Sequence, residues 1–200
     1  MSQEINSERE PKIQIIYLNG ASSSGKTTIA KALQEVLVDP FLHVSIDKFI
    51  GMMPNKINDW TGKESLQGFS WKKVTDEENQ ITHELQTGQF AKKLVATFQK
   101  VIVTMACEGH YLIIDDVSFG KKQVDEWKEL LIAFRVLYVG VKAPLELLEA
   151  REKMRDNRIA GSSRTQHKKV HTDVLYDVEI DTSEPLNTCL QNIISKLYQH

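Results

Sequence analysis

Short apolar runs alternate with amphipathic stretches along most of this chain. The runs lie at Ile13–Asn19, His43–Ile46, Tyr111–Asp116, Phe134–Val141 and Leu175–Asp181. Each is brief and rich in β-prone residues, the form of a strand buried on both faces. Between them, apolar residues at helical spacing predict helices over Gly25–Leu37, Asp76–Glu108, Lys121–Ala133, Pro144–Arg155 and Pro185–Tyr198. Strands alternating with helices pair in parallel, so the expected fold is a layered α/β domain. In the long second helix, Thr75 and Glu78 fit a capping box, and Ile81, Leu85, Leu94, Phe98, Val101, Ile102 and Met105 supply a core face. Gly88 interrupts that stretch, which also fits two helices meeting there. Pro144 and Pro185 suit first-turn helix positions, where the missing N–H breaks no bond.

Residues 55–73 show no period and carry three aromatics, Trp60, Phe69 and Trp71. Such side chains either cover the core edge or face a ligand. The segment follows the second strand, whose carboxyl end borders the ligand crevice in open α/β sheets, so residues 52–75 form the candidate acceptor-side loop.

Two hundred residues with 41% apolar content bury one core, which predicts a single domain over 12–200 behind a flexible polar tail, 1–11. A net charge of −2 supplies no general attraction to nucleic acid or to an anionic membrane. Cys107 and Cys189 are too few for a metal site and unlike a secreted disulfide framework. No apolar leader or membrane-length run is visible, and a cytoplasmic protein is expected.

The strongest chemical signal is the run Asn-Gly-Ala-Ser-Ser-Ser-Gly-Lys-Thr-Thr at 19–28, which contains the phosphate-binding pattern G-x-x-x-x-G-K-[ST]. Backbone N–H groups of Gly20, Ala21, Ser22, Ser23, Ser24 and Gly25 curl around phosphate oxygens, and the helix that follows adds its positive end. Lys26 reaches the β- and γ-phosphates, Thr27 offers its hydroxyl to Mg²⁺, and Thr28 continues the helix N-terminus. The strand before the loop and the helical spacing after it argue against a merely flexible Ser/Gly turn.

Strand ends supply the other candidates. Asp47, after the second strand, fits a general base for a substrate hydroxyl, with the N-cap of a helix opening at Lys48 as the structural alternative. Asp115 ends the third strand in the style of a carboxylate holding magnesium water, and Asp116 lies one residue further toward the acceptor. Either could instead cap the next turn. Arg151, Arg155 and Arg158 share a helix face, and with Arg164 they fit a lid over phosphates, hinged at Gly161-Ser162-Ser163, or an ordinary solvated surface.

Taken with these motifs, the blocks Ile-Asp-Lys-Phe-Ile-Gly-Met-Met-Pro at 46–54, Ile-Ile-Asp-Asp-Val at 113–117 and Arg-Glu-Lys-Met-Arg-Asp-Asn-Arg-Ile-Ala-Gly at 151–161 resemble the chloramphenicol phosphotransferase family of P-loop kinases. Further matching blocks lie at 138–142 and 170–182. That resemblance implies a three-layer α/β/α sandwich with a five-stranded parallel sheet and a small arginine-bearing lid at 151–170. It implies ATP-dependent phosphorylation of a small molecule's hydroxyl, with Asp47 as base, Lys26 and Thr27 in the loop, Arg155 and Arg158 in the lid, and Met53 and Pro54 beside the acceptor. Residues 55–80 are longer and more polar than the family pattern, and Asn157 stands where an acidic lid residue is expected. Two other functions fit the same motifs: a kinase of a nucleoside, nucleotide or shikimate-like metabolite, and a nucleotide-binding regulator without an acceptor.

Overall fold

The computed structural model describes residues 13–63, 65–76, 79–154 and 161–198. The expected tail at 1–11 and the arginines Arg155 and Arg158 lie outside them. Five parallel strands form the central sheet: β1 (Ile15–Asn19), β2 (Leu42–Ser45), β5 (Leu112–Asp116), β6 (Val136–Lys142) and β7 (Val178–Asp181), in the order β2-β5-β1-β6-β7. Alternation along β1 sends Ile16 and Leu18 to one face and Ile15 and Tyr17 to the other, and all four are fully buried. On the first face they meet Ile29 and Leu33 of α1 (Lys26–Val36) and Leu190 and Ile193 of α7 (Leu186–Leu197). On the second face they meet Phe98 and Ile102 of α3 (Gln89–Cys107) and Val124 and Trp127 of α4 (Gly120–Leu130). The result is the anticipated three-layer sandwich. No helix among the described residues is long and apolar enough to cross a membrane.

The expectation of one helix over Asp76–Glu108 is wrong in its first third. Residues Ile81–Thr87 form β4, paired antiparallel with β3 (Phe69–Thr75) in a separate two-stranded hairpin. The turn is closed by Asp76, whose carboxylate and carbonyl accept from Gln80 and Asn79, while Asn79 takes left-handed backbone (φ 59°). Thr75 therefore ends a strand and caps nothing, and Glu78 lies outside the described residues. Gly88 does mark the junction: a Cβ there would lie 2.5 Å from backbone atoms of Leu66 and Gln67, so the helix starts where only glycine fits. Phe69–Lys73, read as loop, is likewise strand, and Asn55–Ile57 is a 3₁₀ turn. Pro144 and Pro185 sit one residue before α5 (Leu145–Lys153) and α7 as caps.

The hairpin leans on α6 (Ser162–Val170). Asp76 lies 3.9 Å from Arg164 and 3.8 Å from Lys168, and Glu84 pairs with Lys169. This fixes the hairpin as a wall over the carboxyl edge of the sheet.

Candidate active site

β1 delivers Gly20 to that edge. A Cβ on Gly20 would sit 2.4 Å from the Val141 carbonyl oxygen, so only glycine lets the loop turn against β6. Left-handed backbone at Ser23 and Gly25 then curls the chain into α1. The hydroxyls of Ser23 and Ser24 are buried without a hydrogen-bond partner, an arrangement that phosphate oxygens at a helix N-terminus would satisfy. Lys26, 7% exposed, donates to the carbonyls of Gly20 at 2.9 Å and Ala21 at 3.0 Å and lies 3.9 Å from Asp115.

Parallel register brings the carboxylates to the same edge. Ser45 of β2 and Leu18 of β1 both stand opposite Asp115 of β5. Asp115 accepts from the Thr27 hydroxyl at 2.7 Å, and His43 Nε2 lies 3.3 Å from the same oxygen. Burial pushes the Asp115 pKa up, but the His43 bond, the Lys26 charge and the Thr27 bond together hold it below the ordinary carboxylate value. An ionised carboxylate bound to a threonine hydroxyl leaves that hydroxyl's lone pairs for a cation. Asp116 is tied down instead: Trp127 Nε1 at 2.9 Å, Ser118 Oγ at 2.9 Å and the Tyr17 hydroxyl at 3.2 Å all reach its Oδ2.

Asp47 does not cap its helix. Ser45 is the N-cap of α2 (Ile46–Gly51), accepting from the Asp47 N–H at 3.2 Å, so the Asp47 carboxylate occupies the first turn and faces a cavity of about 900 Å³. That cavity is also lined by Ser22, Ser23, Gly25, Lys26, Thr27, Thr28, Asp115 and Asp116. Its other half is apolar, walled by Ile46, Ile50, Trp60, Phe69, Trp71, Leu85, Val95 and Phe98. The hairpin supplies Phe69 and Trp71, directly opposite Thr87 and Leu85, and Trp60 stacks on Phe69 with ring centroids 6.4 Å apart. The loop aromatics therefore face the cavity. Met53 and Pro54 do not: Met53, 6% exposed, is buried against Phe69 and Ala91 beneath the hairpin, and Pro54 is exposed outside the cavity.

Other arginine-segment expectations also change. Arg151 does not line the cavity; its guanidinium grips Thr182 Oγ1 at 2.9 Å, the Thr182 carbonyl at 2.9 Å and the Ser23 carbonyl at 3.3 Å, bracing the outside of the loop. Arg164 bonds Glu149 at 2.8 Å. Gly161-Ser162-Ser163 is no open hinge. Buried Glu152 accepts from Gly161 N, Ser162 Oγ, Ser163 N and Ser163 Oγ at 2.5–2.9 Å, and clamps the start of α6. From α6, Gln166 Oε1 accepts the Ser22 N–H at 2.6 Å. Sequence analysis singles out neither His43 nor Gln166; the signal for His43 is its place two residues before Ser45, on the same face of β2.

Behind the loop, buried Asn19 donates to the Tyr176 hydroxyl at 2.8 Å and accepts from the Ser118 N–H at 2.8 Å. Tyr176 in turn lies 3.0 Å from His171 Nδ1. Burial, with the Lys142 charge nearby and against Glu179, lowers the His171 pKa to about 4. The fold thus holds this imidazole neutral, and its contribution is complete above the unfolded value near 6.5 and lost as pH falls toward about 4. Melting temperatures measured across that window are expected to fall more steeply for the native chain than for His171→Gln.

Among the described residues no group of three or more His, Cys, Asp and Glu side chains is placed to hold a metal ion alone. A magnesium ion carried by a nucleotide needs less, because phosphate oxygens and waters fill most of its sphere.

A parallel sheet, a glycine-rich phosphate loop and carboxylates across one crevice define the P-loop kinase fold class. The chain belongs to the chloramphenicol phosphotransferase-like protein family, whose pattern it matches over residues 13–198. A protein of Mycobacterium tuberculosis, provisionally named an O-phosphotransferase, is 27% identical over 173 residues, covering 86% of this chain and 76% of that one. Among solved structures, the M. tuberculosis APS kinase in complex with AMPPNP and APS superposes with a TM-score of 0.62 at 12% identity, covering 94% of this chain and 99% of the other. A gluconokinase from Sinorhizobium meliloti gives 0.54 at 15% identity, covering 94% and 93%.

Proposed function

We propose that this chain transfers the γ-phosphoryl group of ATP, bound with Mg²⁺, to a hydroxyl of a small, partly apolar molecule. One observation carries the reading: the phosphate loop and the Asp47 carboxylate line the same chamber, with an aromatic wall beside them. The family's description and the mycobacterial relative's name agree with it.

Asp47 takes the proton of the acceptor hydroxyl as that oxygen bonds to the γ-phosphorus. The bond from the γ-phosphorus to the bridging oxygen breaks, and ADP leaves. Lys26 swings from the loop carbonyls to the phosphates, which offer it a stronger, charge-assisted bond. Thr27 and Asp115 would hold Mg²⁺, the hydroxyl through a lone pair and the carboxylate through a bound water. The ion supplies neutralisation of the phosphate oxygens.

The test pairs calorimetric titration of a non-hydrolysable ATP analogue, with and without Mg²⁺, with transfer of labelled γ-phosphate to phenicols, nucleosides, sugars and shikimate-like acids. Magnesium-dependent binding and label in an acceptor are expected. Absence of nucleotide binding, or a stoichiometric protein partner with no acceptor labelled, would overturn the proposal and favour a regulator.

A further inference from the structure

Four polar side chains lining the chamber, Thr87, Lys92, Gln99 and Glu126, have no hydrogen-bond or ion-pair partner among the described residues. Lys92 and Glu126 are exposed and Thr87 and Gln99 half-buried, and polar groups on the rim of an apolar pocket with no protein partner are available to orient a ligand. Lys92 differs from the others in charge. Only it and Lys26 are cations among the described lining residues, and Lys26 belongs to the phosphate loop.

The two ends of the chamber are electrostatically unlike. Phe98 of α3 packs edge-on against Trp127 at 5.8 Å, and Trp127 bonds Asp116, so this end carries the carboxylates. Glu126, beside Trp127, adds to them. Lys92, Val95 and Gln99 follow one another at spacings of three and four along α3, on a shared face. A rise of 1.5 Å per residue puts Lys92 about 9 Å further along the helix from Phe98, at its hairpin end. There the Lys92 N–H bonds the Gly88 carbonyl at 2.9 Å, directly after Thr87 of β4.

Resting on the phosphotransfer reading, we infer that Lys92 selects an anionic acceptor: a hydroxyl at the carboxylate end, a flat apolar body against Trp60 and Trp71, and a carboxylate or similar group at the opposite, Lys92 end. An anion placed nearer the hydroxyl would meet Asp47, Asp115 and the transferring phosphate. At the hairpin end it gains an exposed cation that nothing else in the described chain neutralises.

The three tryptophans of the chain, Trp60, Trp71 and Trp127, all line this chamber, so intrinsic fluorescence reports its occupancy. The probes are 4-(hydroxymethyl)cinnamic acid and its uncharged primary amide, titrated against the full chain saturated with a non-hydrolysable ATP analogue and Mg²⁺. The acid is expected to bind about tenfold more tightly than the amide. Lys92→Met should erase that ratio and Lys92→Glu should invert it, both with unchanged affinity for the ATP analogue. Equal affinities in the native chain, no binding of the acid, or a ratio untouched by Lys92→Met would overturn the inference. Transfer of γ-phosphate is scored separately: a charge preference without any transfer sinks the kinase reading alone, and transfer without a charge preference sinks this inference alone.

Discussion

Asp47→Asn is expected to lower kcat for phosphoryl transfer by about 10²–10⁴ while leaving nucleotide affinity close to the native value. The substitution keeps shape and leaves the helix cap intact, because Ser45 Oγ bonds the backbone N–H of residue 47, not its side chain. Removing a carboxylate from the first turn of α2 costs about 0.3–1 kcal/mol of dipole interaction, too little to unfold the domain. A structural role would therefore show as a lowered Tm with kcat preserved, and a base as the reverse. Single-turnover transfer at the native rate by Asp47→Asn would remove the carboxylate from the mechanism.

The sheet and the phosphate loop were legible because their physics is local. Ile15–Asn19 is buried on both faces, and only a continuous apolar run tolerates that, so the strand announces itself. The loop is equally explicit, since glycine is demanded at Gly20 by the Val141 carbonyl and its motif spacing is fixed. The hairpin was misread for a definite reason. Ile81 and Leu85 are four apart, a spacing that lies on one face in a helix and in a strand alike, and it could not discriminate between them. The β-branched Ile81, Thr82 and Thr87, with Gly88 after them, favoured the strand. Ile81, 57% exposed, is not a core residue at all.

Tertiary partners were beyond reach for another reason. Arg151 meets Thr182, thirty-one positions away, and no local pattern tells an arginine bracing a loop from one pointing at phosphate. The same holds for His43, whose partner Asp115 is set by the neighbouring of β2 and β5. Met53 was placed beside the acceptor by the family resemblance, but the hairpin lies over it and Trp71 and Leu85 take the wall instead.

Lys26→Met should have the largest effect of any single change, a fall in kcat/KM of about 10³ or more. Without nucleotide, the ammonium rests on the Gly20 and Ala21 carbonyls, 3.9 Å from Asp115. Three consequences follow from its removal. The loop loses the donors that hold its curl, at about 0.5–1.5 kcal/mol for each bond, and the triphosphate loses the cation that offsets charge building on the γ-oxygens. Asp115 also loses one of the groups that keep its pKa low, so the hold proposed for it on a magnesium-bound water would weaken at acid pH. Methionine preserves the stem, and the circular dichroism spectrum should match the native one. Kinetics at saturating Mg²⁺ separate the terms: added metal can restore what Asp115 lost but cannot replace the lysine's charge. A variant retaining kcat/KM within about threefold, with fold and metal dependence unchanged, would show that the loop amides alone carry the phosphate and that Lys26 serves only to brace them.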